Sequence, residues 1–205
     1  MQKLIWGIAI FFCFVAFMAQ AQTAPPEVMA TAAAGLPPFL SRIAPEARAE
    51  YGFAEGDVLG QVHLGASFNL YTIRPETVLN YQAGSPVPSL LSKTQMWYFL
   101  VMSENNVRCI LVVDHVDGKW QAVSLGYANL AQALGRVLKR WPPSQGFNPW
   151  LIAVFQANEY LVLVPEESSD TLISLLPGRE ELIMDKAAKV MERLKPGVRE
   201  ALKPR

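Results

Sequence analysis

The chain is short of the residues that most often declare a chemistry. It has two cysteines, Cys13 and Cys109, and two histidines, His63 and His115. Cys13 lies inside an N-terminal apolar run that reads as a cleaved leader, so the remaining chain keeps Cys109 alone and has no internal disulfide. Stability must then come from burial rather than from the cross-links common in small exported domains. The two histidines are far apart, and no carboxylate stands at a recognised metal spacing from either. No metal site and no cofactor are therefore expected. Neither sign of charge is in excess: 18 Lys and Arg face 18 Asp and Glu, which excludes the basic surface of a nucleic-acid binder. There is no G-x-S-x-G elbow, no phosphate-cradling G-x-x-x-x-G-K-[ST] and no H-E-x-x-H. No internal repeat is visible.

Long apolar runs are equally scarce, with one exception. LIWGIAIFFCFVAFMA, residues 4–19, is uninterrupted and closes on Ala19-Gln20-Ala21. A basic start, an apolar core and a small-x-small exit form a bacterial-type signal peptide cleaved after Ala21. Residues 1–21 are thus expected to be removed and the protein to be exported, to the periplasm or beyond. Ile10-Phe11-Phe12 lacks the small residue that precedes a lipidated cysteine, so Cys13 is no lipid anchor.

Past the leader, the chain divides into a lead-in and a domain. TAPPEVMATAAAGLPP is low in complexity, and residues 22–36 are expected as a flexible Ala/Pro-rich lead-in. Residues 37–205 are expected as a single α+β domain. PEARAEY and PETVLNY are short helical candidates, each led by proline. FNLYTI reads as a strand, and Gly60 and Gly65 read as turn residues. QMWYFLVMS and VRCILVVD are β-rich runs around Asn105-Asn106, and Asp117-Gly118 turns the chain into KWQAVSLG, giving an antiparallel meander of three strands. Leu130, Leu134, Val137, Leu138 and Trp141 mark one face of a helix. WLIAVFQ and EYLVLVP form a strand pair, and TLISLL one more strand. DKAAKVMERLK closes as a helix, with Ala187, Val190, Met191 and Leu194 on one side, until Pro196-Gly197. The sum is an antiparallel sheet of five to seven strands with helices on one face. That outline is similar to exported sensor domains of the PAS or Cache kind.

The charge is unevenly placed. Residues 159–181 hold six acids and one base, and residues 186–205 hold seven bases and two acids. A basic C-terminal helix can touch an anionic membrane. Interspersion of the bases with Ala, Val, Met and Leu at helical spacing favours a solvated helix face instead.

Cys109, Asp114, His115 and Asp117 resemble a nucleophile, a base and an orienting acid. Strand periodicity separates them: Cys109 and His115 share a face but lie roughly 20 Å apart, and Asp114 points the other way. With Asn105-Asn106 as the turn, Met102 faces Cys109, which reads as a small buried hydrophobe. His115 falls opposite Trp120. No catalytic residue is assigned from this strand. The remaining candidate surface is WPPSQGFNPW. Trp141 and Trp150 brace its ends, and Phe147, mid-loop, is either folded back to plug the sheet edge, as loop aromatics often are, or presented to a partner. Phe147, Trp141 and Trp150 are therefore the candidate partner-binding residues of a non-enzymatic interaction module, its partner a protein or a small molecule. The competing reading is a hydrolase or transferase that assembles an acid and a base from separate loops, with Asp57, His63 and Glu76 as candidates.

Overall fold

A computed structural model describes residues 23–203 apart from residues 177 and 180. The apolar run and its Ala19-Gln20-Ala21 exit lie outside the described residues. Eight strands form one sheet: β1 (His63–Ile73), β2 (Leu91–Ser103), β3 (Asn106–Val116), β4 (Lys119–Gly126), β5 (Trp150–Val154), β6 (Glu159–Leu163), β7 (Thr171–Ser174) and β8 (Ile183–Lys186). Among the described residues four α-helices accompany them: α1 (Pro26–Leu40), α2 (Pro75–Leu79), α3 (Ala128–Arg140) and α4 (Ala187–Ala201). The sheet order is β4-β3-β2-β1-β5-β6-β7-β8. Every neighbouring pair is antiparallel except β1 and β5, which run parallel. The class is α+β, as expected. The sheet is larger than expected and mixed, helices lie on both faces, and the PAS or Cache outline is not matched.

The expected meander is present, with its first turn shifted by one residue. Ser103 pairs with Asn106, so Glu104-Asn105 makes the turn, and Glu104 takes the positive φ of 52°. An irregularity between Val101 and Met102 then sets Val101, not Met102, opposite Cys109. Because side chains alternate along a strand, one residue of slip exchanges faces. Tyr98, Leu100, Ile110 and Val112 consequently share one face, while Phe99, Val101, Cys109, Leu111 and Val113 share the other. Asp117-Gly118 forms the second turn as expected, and His115 pairs with Trp120, the rings meeting edge-on at 5.0 Å.

Two helices cover the second face. The segment expected as a loose lead-in is instead most of α1. Its Val28, Ala32, Leu36 and Leu40 recur every four residues and are buried against Trp97, Phe99, Cys109 and Leu111. Composition hid this helix, since prolines flank its start and stand at Pro37 and Pro38 in its last turn. Cys109 is fully buried there, and burial pushes its thiol up to about 12, which removes it as a nucleophile at neutral pH.

Helix α4 covers the other half of that face, packing with Val78 of α2 onto Ile152, Val154, Leu161, Leu163 and Leu172. It does not stop at Pro196-Gly197. Proline costs the helix one hydrogen bond, but Val198, one turn beyond Leu194, is fully buried and holds the last turn in place. The uneven charge resolves here too. Lys186 pairs with Asp170, and Arg193 with Glu159; Lys189, Lys195 and Lys203 pair with Asp185, Glu192 and Glu200. Much of the basic tail is thus balanced from within the chain. Among the described residues no helix is long and apolar enough to cross a membrane.

Smaller elements differ in detail. PEARAEY forms a 3-10 turn over Pro45–Ala47 rather than an α-helix. Gly65 is not a turn residue. It lies within β1, where a Cβ would come 2.8 Å from the Cγ of Met102.

Candidate functional site

Among the described residues the first face carries one α-helix, α3. Eight strands at about 4.8 Å spacing span roughly 34 Å, whereas one helix is about 10 Å wide, so α3 leaves sheet uncovered. Beyond the C-terminal end of α3 the gap is filled by the WPPSQGFNPW loop. Trp141 is 3% exposed, with Arg140 over its ring at 4.8 Å. Phe147 is half-buried and packed against the same core, so its ring is folded back rather than presented. Trp150 belongs to β5 and stacks on Tyr71 at 5.1 Å. The three aromatics expected as a contact surface thus brace the loop.

At the N-terminal end of α3 the sheet stays open. A groove of about 940 Å³ lies there, with Met96, Tyr98, Val112 and Tyr160 among its lining and Val123, Tyr127 and Phe155 on its walls. Val123, Tyr127 and Phe155 are 42%, 49% and 50% exposed, an unusual cost for large apolar groups to bear together.

Three departures from regular backbone shape this groove. In β2, three residues (Thr94 to Met96) stand opposite the single Leu70 of β1. Buried Asn69 secures that bulge, its Nδ2 donating to the carbonyls of Thr94 and Met96 at 3.2 and 3.0 Å. The Thr94 hydroxyl donates to the Leu70 carbonyl at 2.6 Å and accepts from the Met96 N–H at 3.1 Å. In β4, Val123 is the extra residue between Ser124, opposite Val112, and Ala122, opposite Val113. Bulges re-aim side chains and collect beside functional sites. The third departure is Tyr127, the residue before α3, held at φ 58° and ψ 41°. A bulky residue in the left-handed region is strained by roughly 1–3 kcal/mol, and here the strain sets a tyrosine ring on the groove wall.

Tyr127 and Tyr160 both flank Tyr98, each with its ring centroid 6.2 Å away and tilted by 31° and 54°. The hydroxyls of Tyr98 and Tyr160 are 3.2 Å apart. One hydrogen bond between two hydroxyls uses one of their two protons, so the other can donate to a guest. Burial, reinforced by the Tyr160 hydroxyl, pushes the Tyr98 phenol above the ordinary range. Burial also raises Tyr160, against a lowering from its bond to Tyr98. Both phenols stay neutral at physiological pH. A general acid or base works near its own pKa, so this pair is suited to holding a ligand rather than to moving protons.

The acid and base candidates are not brought together. His63 opens β1 and Glu76 lies in α2 past its far end, some ten residues or roughly 30 Å on. Nδ1 of His63 sits 3.4 Å from the Gln61 carbonyl. Asp57 is committed elsewhere: its carboxylate accepts from Arg108 at 2.8 Å and from the Ala54 N–H at 2.7 Å. Burial raises the Asp57 carboxyl, but hydrogen bonds from Ser103, Ala54 and Arg108 outweigh it and hold the group below its usual range. Among the described residues no cluster of three His, Cys, Asp or Glu side chains could hold a metal.

The Asp57–Arg108 pair should therefore contribute pH-dependent stability. Its carboxylate side chain is only 7% exposed, and Asp57→Asn should cost about 1.5–3 kcal/mol at pH 7. A depressed carboxyl stabilises above its unfolded value near 3.9 and loses that contribution as pH falls through the folded value. In urea titrations the gap between the wild type and Asp57→Asn should narrow as pH drops below about 4. A gap constant to about pH 2 would show that ionisation of Asp57 contributes nothing.

Sequence reasoning missed the groove because its tyrosines stand at 98, 127 and 160. One local sign was readable. Helix α3 is preceded by Gly126-Tyr127 and has no side-chain cap, where Ser, Thr, Asp or Asn is the usual choice.

The chain matches no protein-family model, no curated protein and no solved structure. The groove must be read on its own chemistry.

Proposed function

We propose that this is an exported, non-enzymatic binding protein that seats a small molecule with an apolar body in the groove beside α3. The observation that carries this reading is the convergence of two bulges and a left-handed tyrosine on one concavity. Such irregularities are costly to maintain, and sites of binding are where folds retain them. A volume of about 940 Å³ falls within the range of small-molecule pockets, roughly 300–1,000 Å³. Export is supported by the apolar run with its Ala-Gln-Ala exit. Ala24, just past that exit, is buried and its N–H reaches Ser67 Oγ at 3.3 Å, and cleavage after Ala21 leaves that contact intact.

The test uses a neutral environment-sensitive dye, N-phenyl-1-naphthylamine. It should bind the wild type saturably, with enhanced fluorescence. Tyr127→Gly removes a wall ring while glycine accepts the local backbone without strain. It should weaken dye binding by about tenfold, equivalent to 1.4 kcal/mol, without lowering the melting temperature. Phe147→Ala should leave dye affinity unchanged. Loss of binding in Phe147→Ala, with retention in Tyr127→Gly, would move the site to the WPPSQGFNPW loop and end this proposal.

A further inference from the structure

We infer that the groove selects an organic cation, an alkylated ammonium group carried on an apolar body; the inference rests on the groove being the binding site. Four aromatic rings, those of Tyr98, Tyr127, Tyr160 and Phe155, contribute to its lining. Aromatic faces carry negative potential and attract a cation within about 6 Å of their centroids. The two tilted rings flanking Tyr98, each at 6.2 Å, make an aromatic corner in which one guest can meet several rings.

The charges agree with the rings. Among the described residues no Lys, Arg or His lines the groove, while Glu50 and Glu159 both do. Glu159 is already matched by Arg193, so its charge is largely spent. Glu50 is exposed and has no ion pair among the described residues. Asp114, on β3, is close enough to act on the Tyr98 hydroxyl, which it disfavours from ionising. An anionic guest would meet these carboxylates with no basic side chain in the lining to balance it. The uncapped N-terminus of α3 offers only a partial charge, screened where it meets solvent.

The number of N–H bonds on the guest narrows the class. A primary ammonium has three donors and is strongly hydrated, and the ring faces that form the aromatic corner give those donors no acceptor to replace the water they would lose. A fully alkylated ammonium has none. It gives up little water and meets the rings through its methyl groups.

The experiment compares benzyl guests of similar shape and different charge: benzyltrimethylammonium, its neutral isostere neopentylbenzene, and the anion phenylmethanesulfonate. Each is titrated into the full folded protein, followed by displacement of N-phenyl-1-naphthylamine and by NMR shifts of the groove residues. The cation should displace the dye about tenfold more effectively than the isostere, and the anion should not compete. Tyr127→Gly should bring the cation close to the isostere, and Glu50→Gln should weaken the cation severalfold while leaving the isostere unchanged. A neutral isostere that competes as well as the cation would overturn the charge selection and leave the groove as a general apolar site. Competition by the anion alone would overturn it as well. If the dye itself fails to bind, the reading of the groove falls and this inference falls with it.

Discussion

Phe99→Ala should lower the unfolding free energy by about 3–5 kcal/mol, a large part of the roughly 5–15 kcal/mol that holds a domain together. Phe99 is fully buried on β2, between Ser67 of β1 and Leu111 of β3, and beneath α1. Truncation there leaves a cavity that neither the sheet below nor the helix above can close. Phe155→Ala is the matched comparison. Its ring is 50% exposed, and the stability change should stay within about 0.5 kcal/mol. Urea midpoints of the two variants measure the difference directly. A loss below about 1 kcal/mol in Phe99→Ala would mean that α1 does not seal this face in solution.

Gly35→Leu is the second large effect. A Cβ built on Gly35 lies 2.3 Å from the Cβ of Ala122 on β4, where carbon atoms normally rest about 3.5–4.0 Å apart. A leucine cannot be accommodated without lifting α1, which would unseat Val28, Ala32, Leu36 and Leu40 together. The cost should reach about 3 kcal/mol or more. Gly35→Ala separates two opposed terms. Alanine favours the helix by about 1 kcal/mol, while the clash costs about 1–3 kcal/mol, so the single variant should be less stable than the wild type. Adding Ala122→Gly removes the opposing methyl and should recover much of that loss. A double-mutant cycle isolates the coupling; independent, additive effects would disprove the close approach.

How much of this was readable depended on whether the decisive residues were neighbours in sequence. The stripes of α3 and α4 and the three-strand meander arise from apolar spacing within single segments, and they stand where expected. The first turn of the meander went wrong by one residue because Glu104, Asn105 and Asn106 are all plausible turn formers. Only tertiary packing decides which of them takes the positive φ. Helix α1 shows the opposite difficulty: its every-fourth-residue pattern was present but lay under an Ala- and Pro-rich composition. β8 was missed because its Met184 and Asp185 carry no strand-like alternation. The bulge at Thr94–Met96 requires Asn69 from another strand, and the aromatic corner requires tyrosines from three separate segments. No window along the chain contains either.

The lone parallel pairing has a consequence for the order in which the chain folds. β2, β3 and β4 join through tight hairpins, β1 reaches β2 through a short excursion, and β5 to β8 likewise pair with their successors. The strands of the two halves pair where Leu70–Thr72 of β1 lie beside Leu151–Ala153 of β5, and closing that pairing encloses roughly eighty residues. Loop closure grows costlier with length, and parallel partners far apart in sequence assemble slowly. The N-terminal half is therefore expected to form first, with β1 as a temporary bare edge that can capture a neighbouring chain until β5 arrives. The last hydrogen bonds to form would then be those at the centre of the finished sheet.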